Sequence, residues 1–128
     1  MGNKDLYEDF KTKNTLEERK KMFLEFQAEP KNKNRIPVIV EFYKKDKKYF
    51  KVSDDERFFK FLVDKYFTIS QFIFSLRRKI KAEEDHDIFL LYKSITLPME
   101  ITIERVYNKY KDEDGFLYLE YTFAHFLG

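Results

Sequence analysis

The chain has 128 residues, a length typical of one domain with one hydrophobic core. Its 25 basic and 23 acidic residues leave a net charge of +2, which argues against a nucleic-acid partner, because phosphate binding normally needs a clear basic excess. Cysteine is absent, which excludes disulfides, a thiol nucleophile and thiolate metal ligands. No apolar run approaches the roughly 20 residues that span a bilayer, and no signal peptide opens the chain, so we expect a cytoplasmic protein.

Catalytic and cofactor motifs are missing as well. The three glycines are Gly2, Gly115 and Gly128, so the sequence has neither a dinucleotide-binding nor a phosphate-binding glycine loop. The two histidines, His86 and His125, are far apart and have no cysteine to complete a metal site. We therefore expect no enzyme activity, no cofactor and no metal.

The N-terminal part of the chain is charged and helical in pattern. Apolar residues predict a short helix over residues 5–11. A second helix is predicted to begin after Thr15, because Glu18 completes a capping box with it, and to end before Pro30. Two short amphipathic helices are not stable alone in water, so we expect them to dock on the rest of the chain.

The next segment predicts two strands joined by a long loop. Residues 35–43 are rich in β-branched and aromatic side chains, and Pro37 must lie near the start of the strand because it cannot donate a ladder hydrogen bond. Residues 44–56 are mostly charged and predict an exposed hairpin loop. Residues 57–63 predict the returning strand.

The clearest helix follows this hairpin. Thr68 and Gln71 form a second capping box, and apolar residues then recur with helical spacing as far as Ile80. Residues 87–92 are too few and too apolar for an exposed helix, so they predict a third strand.

A short helix over residues 103–110 and a last strand ending at Tyr121 complete the order of elements. This order predicts an α+β protein with a ubiquitin-like β-grasp fold, in which a mixed four-stranded sheet carries one long helix and two additional N-terminal helices. We divide the chain into an N-terminal helical extension (1–34), a β-grasp domain (35–121) and a flexible C-terminal tail (122–128).

The chain ends on a glycine, Gly128, directly after this tail. Ubiquitin-like modifiers end in the same way, because the enzymes that transfer such a carboxylate thread the tail through a narrow channel. A terminal residue without Cβ is the least hindered acyl donor.

Four segments in this order resemble one known family. They are residues 33–39 (KNRIPVI), 60–63 (KFLV), 68–72 (TISQF) and 112–118 (DEDGFLY). They are similar to the autophagy ubiquitin-like modifiers, the group of autophagy-related protein 8, GABARAP and microtubule-associated protein light chain 3. The resemblance covers essentially the whole domain and indicates a divergent member.

The resemblance implies a non-enzymatic modifier that acts in autophagosome formation. E1-like, E2-like and E3-like enzymes would join Gly128 to the amine of phosphatidylethanolamine, and a cysteine protease would be a further partner. The lipidated form would lie on autophagosomal membranes, whereas the free form would be a cytoplasmic monomer. Receptors would bind through short aromatic-x-x-aliphatic motifs.

The resemblance also implies two pockets for the side chains of such a motif. The pocket for the aromatic residue would be lined by Met22, Phe26, Pro37, Ile39, Lys60, Leu62 and Phe116. The pocket for the aliphatic residue would be lined by Phe61, Val63, Phe67 and Phe72. Two basic residues would meet the acidic flank of the motif, namely Arg35 and Lys79. Neighbours within residues 60–63 point to opposite faces of the sheet, which suits an edge strand that binds a partner peptide by β-augmentation.

Four positions depart from the family pattern. Asp64 replaces a proline and Ser75 replaces an aliphatic residue, so the aliphatic pocket should be more polar than usual. Lys79 replaces an arginine and loses the bidentate fork that suits a carboxylate. Leu127 replaces an aromatic residue before the terminal glycine.

The acidic run at residues 112–114 leaves a second interpretation open. The run does not fit an EF-hand loop, because Tyr110 and Tyr121 occupy positions that need carboxylates. A solvent-exposed turn is the simplest prediction. The run also resembles the acidic motif of PB1 scaffold domains, which pair it with a lysine on another domain's first strand, although here that strand offers Arg35 and no lysine before Lys44. A non-conjugated, PB1-like interaction module is therefore the alternative function.

Overall fold

A mixed five-stranded sheet organises the residues that this computed structural model describes, which are 9–45, 58–80 and 87–123. The strands are β1 (Arg35–Phe42), β2 (Phe58–Asp64), β3 (Ile88–Tyr92), β4 (Ile95–Thr96) and β5 (Leu117–Phe123). They lie in the order β2-β1-β5-β3-β4, in which β1 and β5 are parallel and all other neighbours are antiparallel. The helices are α1 (Phe10–Lys13), α2 (Leu16–Ala28), α3 (Ile69–Ile80) and α4 (Ile103–Tyr110), with a 3₁₀ turn at Pro30–Asn32.

The predicted α+β, ubiquitin-like architecture is confirmed, with differences at its margins. The sheet has five strands rather than four, because β4 pairs with the end of β3. The last strand continues to Phe123 instead of ending at Tyr121. The first helix extends to Lys13. The part of the predicted first helix before residue 9 and most of the predicted hairpin loop lie outside the described residues.

Strand β4 follows β3 after a two-residue hairpin turn of unusual composition. Lys93 and Ser94 both have positive φ, 47° and 71°, in a type of turn that usually holds Asn or Gly. The Tyr43 hydroxyl donates to Ser94 Oγ at 3.0 Å, and the Ser94 N–H donates to the Glu120 carboxylate at 3.2 Å. Tertiary hydrogen bonds therefore hold a turn that the sequence pattern does not predict.

The helix α3 covers one face of the sheet and begins with the predicted capping box. The Gln71 side chain accepts from the Thr68 N–H at 2.8 Å, and Thr68 Oγ1 accepts from the Gln71 N–H at 3.2 Å. Ile69, Phe72 and Leu76 lie on one helical face and are completely buried. They form the main hydrophobic core together with α4 and the inward side chains of the strands.

Strand β1 is buried on both faces and separates two hydrophobic clusters. Val38 and Val40 belong to the main core. Ile39, between them, belongs to a second cluster with Phe10 of α1 and Phe116. Successive side chains of a strand point to opposite faces, so the N-terminal helices dock on the face opposite α3.

Phe10 anchors α1 in this second cluster. Its ring is 2% exposed and lies edge-on to Phe116 and Phe58, with ring centres 5.3 and 5.8 Å away. Asp9 caps the helix by accepting from the Thr12 N–H at 2.9 Å. A helix of four residues has almost no stability in isolation, so α1 depends on tertiary contacts such as this buried ring.

A buried ion pair holds α2 against the turn that precedes β5. The Arg19 guanidinium lies 2.7 Å from Asp114 Oδ2, and the Asp114 side chain is fully buried. Asp114 also accepts from the Phe116 N–H at 2.8 Å and from the Tyr118 hydroxyl. Burial and the hydrogen bond to Asp114 raise the pKa of Tyr118 well above its usual value, so this hydroxyl remains a donor.

The prediction of a solvent-exposed acidic turn is therefore wrong for Asp114. Its counter-charge comes from Arg19, 95 residues away in the sequence, and local composition cannot reveal such a partner. Asp112 lies nearer the surface and pairs with Lys11 of α1 at 2.7 Å. Both acidic residues are thus used to attach the N-terminal helices.

The glycine of this turn allows α2 to approach closely. Gly115 has a φ of 98°, a conformation that side chains with Cβ rarely adopt. The Phe23 ring of α2 packs directly on it, so that a Cβ at residue 115 would lie 2.4 Å from the ring. The backbone angle and the close approach require glycine for the same reason, the absence of Cβ.

Loss of the buried ion pair should destabilise the fold far more than loss of the exposed one. We expect Arg19→Met to lower the free energy of unfolding by about 3–5 kcal/mol, because the Asp114 carboxylate remains buried without its counter-charge. Lys11→Met is the matched control, since the side chains of its ion pair with Asp112 are 45% and 21% exposed. That loss should stay below about 1 kcal/mol. Urea unfolding measures both variants, and equal losses would contradict the role given to Arg19.

The carboxyl of Glu41 on β1 is partly buried and lies beside α1. It lines a cavity of about 550 Å³ together with Asp9 and Glu120. Burial raises the pKa of Glu41 to about 7; the negative charges of Asp9 and Glu120 act in the same direction, whereas Lys44 opposes them. The folded protein therefore favours the neutral form of this side chain.

The Glu41 carboxyl should make the protein less stable as the pH rises from 4.5 towards 7. The folded state binds this proton more tightly than the unfolded chain does, so the stabilisation is complete below the ordinary pKa of 4.5 and is lost as the pH rises through about 7. A tenfold change in proton affinity corresponds to about 1.4 kcal/mol, which makes the loss about 3 kcal/mol. Glu41→Gln mimics the neutral side chain and should remove this dependence in urea unfolding at about pH 5 and about pH 8. An unchanged pH dependence in this variant would exclude Glu41 as its cause.

Candidate peptide-binding site

Strand β2 forms one edge of the sheet, and among the described strands it pairs only with β1. The register places Leu62 beside Pro37 and Lys60 beside Ile39, on the face that carries the N-terminal helices. Phe61 packs on the main core, on the opposite face. The outer backbone groups of β2 are therefore positioned for pairing with a further strand, between two different apolar surfaces.

The floor of the predicted aromatic pocket is buried in the second cluster. Ile39 is 0% and Phe116 is 5% exposed, and the half-buried Met22 packs against this cluster. Phe10 and Phe23 complete the cover, although we did not predict them as pocket residues. The sequence of the N-terminal helices indicates that these two rings are buried, but it does not indicate which surface of the sheet they cover. A receptor side chain would reach Ile39 only after a shift of Met22 or of one of these rings.

The rim of the same pocket is more accessible. Leu62 is 49% exposed. Lys60 is exposed and places its ammonium group 5.8 Å from the centre of the Phe10 ring. Phe26 and the buried Pro37 line a neighbouring cavity of about 230 Å³ between α2, the start of β1 and α4.

The residues predicted for the aliphatic pocket lie on the other face of β2. The Phe61 ring meets Phe72 of α3 edge-on, with ring centres 5.0 Å apart. Phe72 and Val63 are buried, whereas Phe67 is 36% exposed. Phe61 and Phe67 are thus the accessible members, and Val63 and Phe72 support them from behind.

The two polar departures, Asp64 and Ser75, lie on β2 and α3, the elements that also carry Phe61 and Phe72. Asp64 ends β2 and is exposed, and its carboxylate accepts from the Tyr66 N–H at 2.8 Å. Ser75 is half-buried on α3. That both substitutions reduce the apolar area available to an aliphatic side chain remains a prediction.

The two basic residues predicted for the acidic flank occupy different elements. Arg35 opens β1, pairs in register with Asp64 and is exposed. Lys79 lies in the last turn of α3 and is also exposed. Gly128, the predicted conjugation residue, lies outside the described residues.

Two further properties of residues 9–45, 58–80 and 87–123 concern membranes and metal ions. None of the helices there has both the length and the apolar character to cross a membrane. The same residues contain no cluster of three or more His, Asp or Glu side chains that suits a metal ion.

Known proteins share both sequence and fold with this chain. Residues 19–128 match the family described as "Autophagy protein Atg8 ubiquitin like". The chain is 39% identical over 89 residues to autophagy-related protein 8d of Arabidopsis thaliana, covering 70% of each protein. It is 34% identical over 113 residues to autophagy-related protein 8 of Emericella nidulans, covering 88% of this chain and 90% of that protein.

The fold comparison agrees with the sequence comparison. The crystal structure of Trypanosoma brucei ATG8 matches with a TM-score of 0.78 at 28% identity, covering 91% of this chain and 95% of that chain. The match of residues 19–128 to the family includes both faces of β2 and the turn before β5. The chain belongs to the Atg8 family of ubiquitin-like autophagy proteins.

Proposed function

We propose that this protein is a conjugated modifier and a docking module of autophagosome formation. Its terminal carboxylate on Gly128 is joined to phosphatidylethanolamine, and its edge strand binds receptors that carry aromatic-x-x-aliphatic motifs. The unconjugated protein is a cytoplasmic monomer, and the lipidated form lies on autophagosomal membranes. The protein catalyses no reaction itself.

The observation that carries the docking role is the position of β2. This strand is an edge of the sheet, and its two faces support different apolar surfaces, one around Phe10 and Phe116 and one around Phe61 and Phe72. In an added strand, side chains three positions apart point to opposite faces. The first and last residues of an aromatic-x-x-aliphatic motif would therefore reach the two surfaces separately, while backbone hydrogen bonds supply affinity.

The conjugation role is supported by family membership and by the sequence after β5. This strand ends at Phe123, and Gly128 lies five positions beyond it. A short tail of this kind suits the channel of an E1-like and an E2-like enzyme, with an E3-like complex directing transfer to the lipid. A cysteine protease that cuts after the same glycine is the further partner we propose.

The alternative of a non-conjugated, PB1-like module has less support. A PB1-like pairing needs an acidic turn that is available to another molecule. Here Asp114 is fully buried against Arg19, and Asp112 pairs with Lys11. Only Glu113 of this run is exposed without such a partner in the described residues.

Removal of Gly128 should abolish lipid conjugation and leave the fold intact. The chain is incubated with the E1-like and E2-like enzymes, ATP and liposomes that contain phosphatidylethanolamine, and intact mass reports the adduct. We expect the lipid mass on the full chain and none on the variant without Gly128, because no other terminal residue is as unhindered an acyl donor. Gly2→Ala is the matched control and should still be conjugated. A lipid adduct on the truncated variant would refute Gly128 as the donor.

The aromatic anchor of a receptor peptide should contribute more to binding than the aliphatic anchor. The aromatic pocket keeps an apolar lining at Leu62, Pro37 and Phe116, whereas Asp64 and Ser75 remove apolar area from the other pocket. At about 25 cal/mol per Å² of apolar surface, burial of an aromatic ring is worth about 2–3 kcal/mol. We expect Ala at the aromatic position of a peptide to weaken binding by about 30-fold or more.

Titration calorimetry measures both this peptide and a second peptide with Ala at the aliphatic position. We expect this change to weaken binding by less than about tenfold, because the aliphatic site already offers less apolar contact. Ser75→Leu should restore part of that contact and increase the penalty for the aliphatic Ala peptide. Equal penalties from the two peptides would show that Asp64 and Ser75 do not affect the groove.

A further inference from the structure

Asp64, the last residue of β2, places an exposed carboxylate at one end of the proposed receptor groove. Its Oδ1 accepts from the Tyr66 N–H at 2.8 Å, a bond that holds the side chain at the end of the strand and leaves Oδ2 available. The neighbouring Lys65 pairs instead with Glu104, at 3.5 Å. Within the described residues, the edge strand therefore ends in a positioned negative charge that has no ion pair of its own.

The order of the two predicted pockets along β2 sets the direction of a bound motif. The aromatic pocket includes Lys60 and Leu62, whereas the aliphatic pocket reaches Val63 and Phe67, at and beyond the end of the strand. A motif whose aromatic residue comes first therefore runs parallel to β2. Lys60 and Val63 are three positions apart and lie on opposite faces of the strand, as the two anchors of an aromatic-x-x-aliphatic motif also do. The aromatic anchor is thus level with Lys60 and the aliphatic anchor with Val63.

The residue that directly follows the aliphatic anchor is then level with Asp64. Because side chains alternate along a strand, this residue points to the face opposite the anchor, which is the face of Lys60, Leu62 and Asp64. Its side chain and that of Asp64 would be cross-strand neighbours. Opposite charges at such positions stabilise the pairing of two strands, whereas like charges destabilise it.

We propose that Asp64 selects receptor motifs in which a lysine or an arginine directly follows the aliphatic residue. The ammonium or guanidinium group of that residue pairs with the Asp64 carboxylate. A glutamate or an aspartate at the same position faces a like charge and is disfavoured. This inference rests on the proposed receptor-binding function and adds a requirement on the charge of the receptor peptide.

Arg35 opposes this selection, but from a greater distance. It lies in register with Asp64 on β1, which is on the side of β2 away from a bound peptide. Adjacent strands are about 4.8 Å apart, so a basic peptide residue is about one strand spacing from Asp64 and about two from Arg35. Coulomb energy falls with distance, and salt screens the longer interaction more strongly. The attraction to Asp64 therefore exceeds the repulsion from Arg35, and at this position a basic residue replaces the acidic flank expected for Arg35.

The test compares three peptides that share one core motif and differ only in the residue directly after it, which is lysine, alanine or glutamate. Titration calorimetry with the full chain measures their affinities. We expect the lysine peptide to bind about two- to fivefold tighter than the alanine peptide, the range expected of an exposed ion pair. The glutamate peptide should bind more weakly than the alanine peptide. High salt should reduce both differences, because it screens exposed charges.

Variants of the protein then locate the source of the preference. Asp64→Asn keeps the side-chain shape and an acceptor for the Tyr66 N–H but removes the charge, so its lysine peptide should bind no tighter than its alanine peptide. Arg35→Gln removes the opposing charge and should increase the advantage of the lysine peptide. Glu113→Gln is the matched control, because Glu113 is an exposed carboxylate that lines neither predicted pocket, and the preference should equal that of the wild type.

The outcomes separate this selection from the proposed function. Equal affinities of the lysine and alanine peptides for the wild type overturn the role of Asp64 and leave the receptor role intact. A lysine preference that persists in Asp64→Asn, or that falls equally in Glu113→Gln, also overturns it. If none of the three peptides binds, both the receptor role and the selection by Asp64 are wrong.

Discussion

The attachment of the N-terminal helices depends on the buried contact between Arg19 and Asp114. A carboxylate without solvent exposure is stable only beside a fixed positive charge and hydrogen-bond donors, and Asp114 has Arg19, the Phe116 N–H and the Tyr118 hydroxyl. The contact fixes α2 relative to β5, and Gly115 allows the Phe23 ring to rest on the turn. Since Phe116 follows directly, the same contact also fixes the floor of the aromatic pocket.

The two faces of β1 explain why one small sheet supports two separate surfaces. Its alternate side chains enter the main core and the second cluster, so each face is closed by different helices. The main core is closed by α3 and α4, whose inward side chains are almost completely buried. The second cluster is smaller and is covered by α1, through the buried Phe10 ring, and by Met22 and Phe23 of α2. The predicted aromatic pocket thus lies beneath the N-terminal helices, on the side of the smaller cluster.

Much of the fold follows from local sequence signals. The capping boxes at Thr15 and Thr68 and the alternation in β1 depend on residues a few positions apart, and a single sequence contains them. The family motifs then indicated which strand we propose as the edge of the receptor groove. What the sequence could not predict depends on distant partners: the burial of Asp114, the turn at Lys93 and Ser94, and the cover over Ile39. For residues 112–114, composition favours a solvated turn, and only the three-dimensional contact with Arg19 contradicts that expectation.

The two edges of the sheet have different capacities to recruit another strand. β2 offers seven residues along one edge, whereas the opposite edge is β4, which has two residues. A strand of two residues offers too few backbone groups to template an ordered neighbour, and short edge strands are a known protection against aggregation. Growth of the sheet is thus terminated on one side. In the proposed function, a receptor strand that pairs with β2 would therefore find no comparable edge on the far side of the described sheet from which pairing could continue.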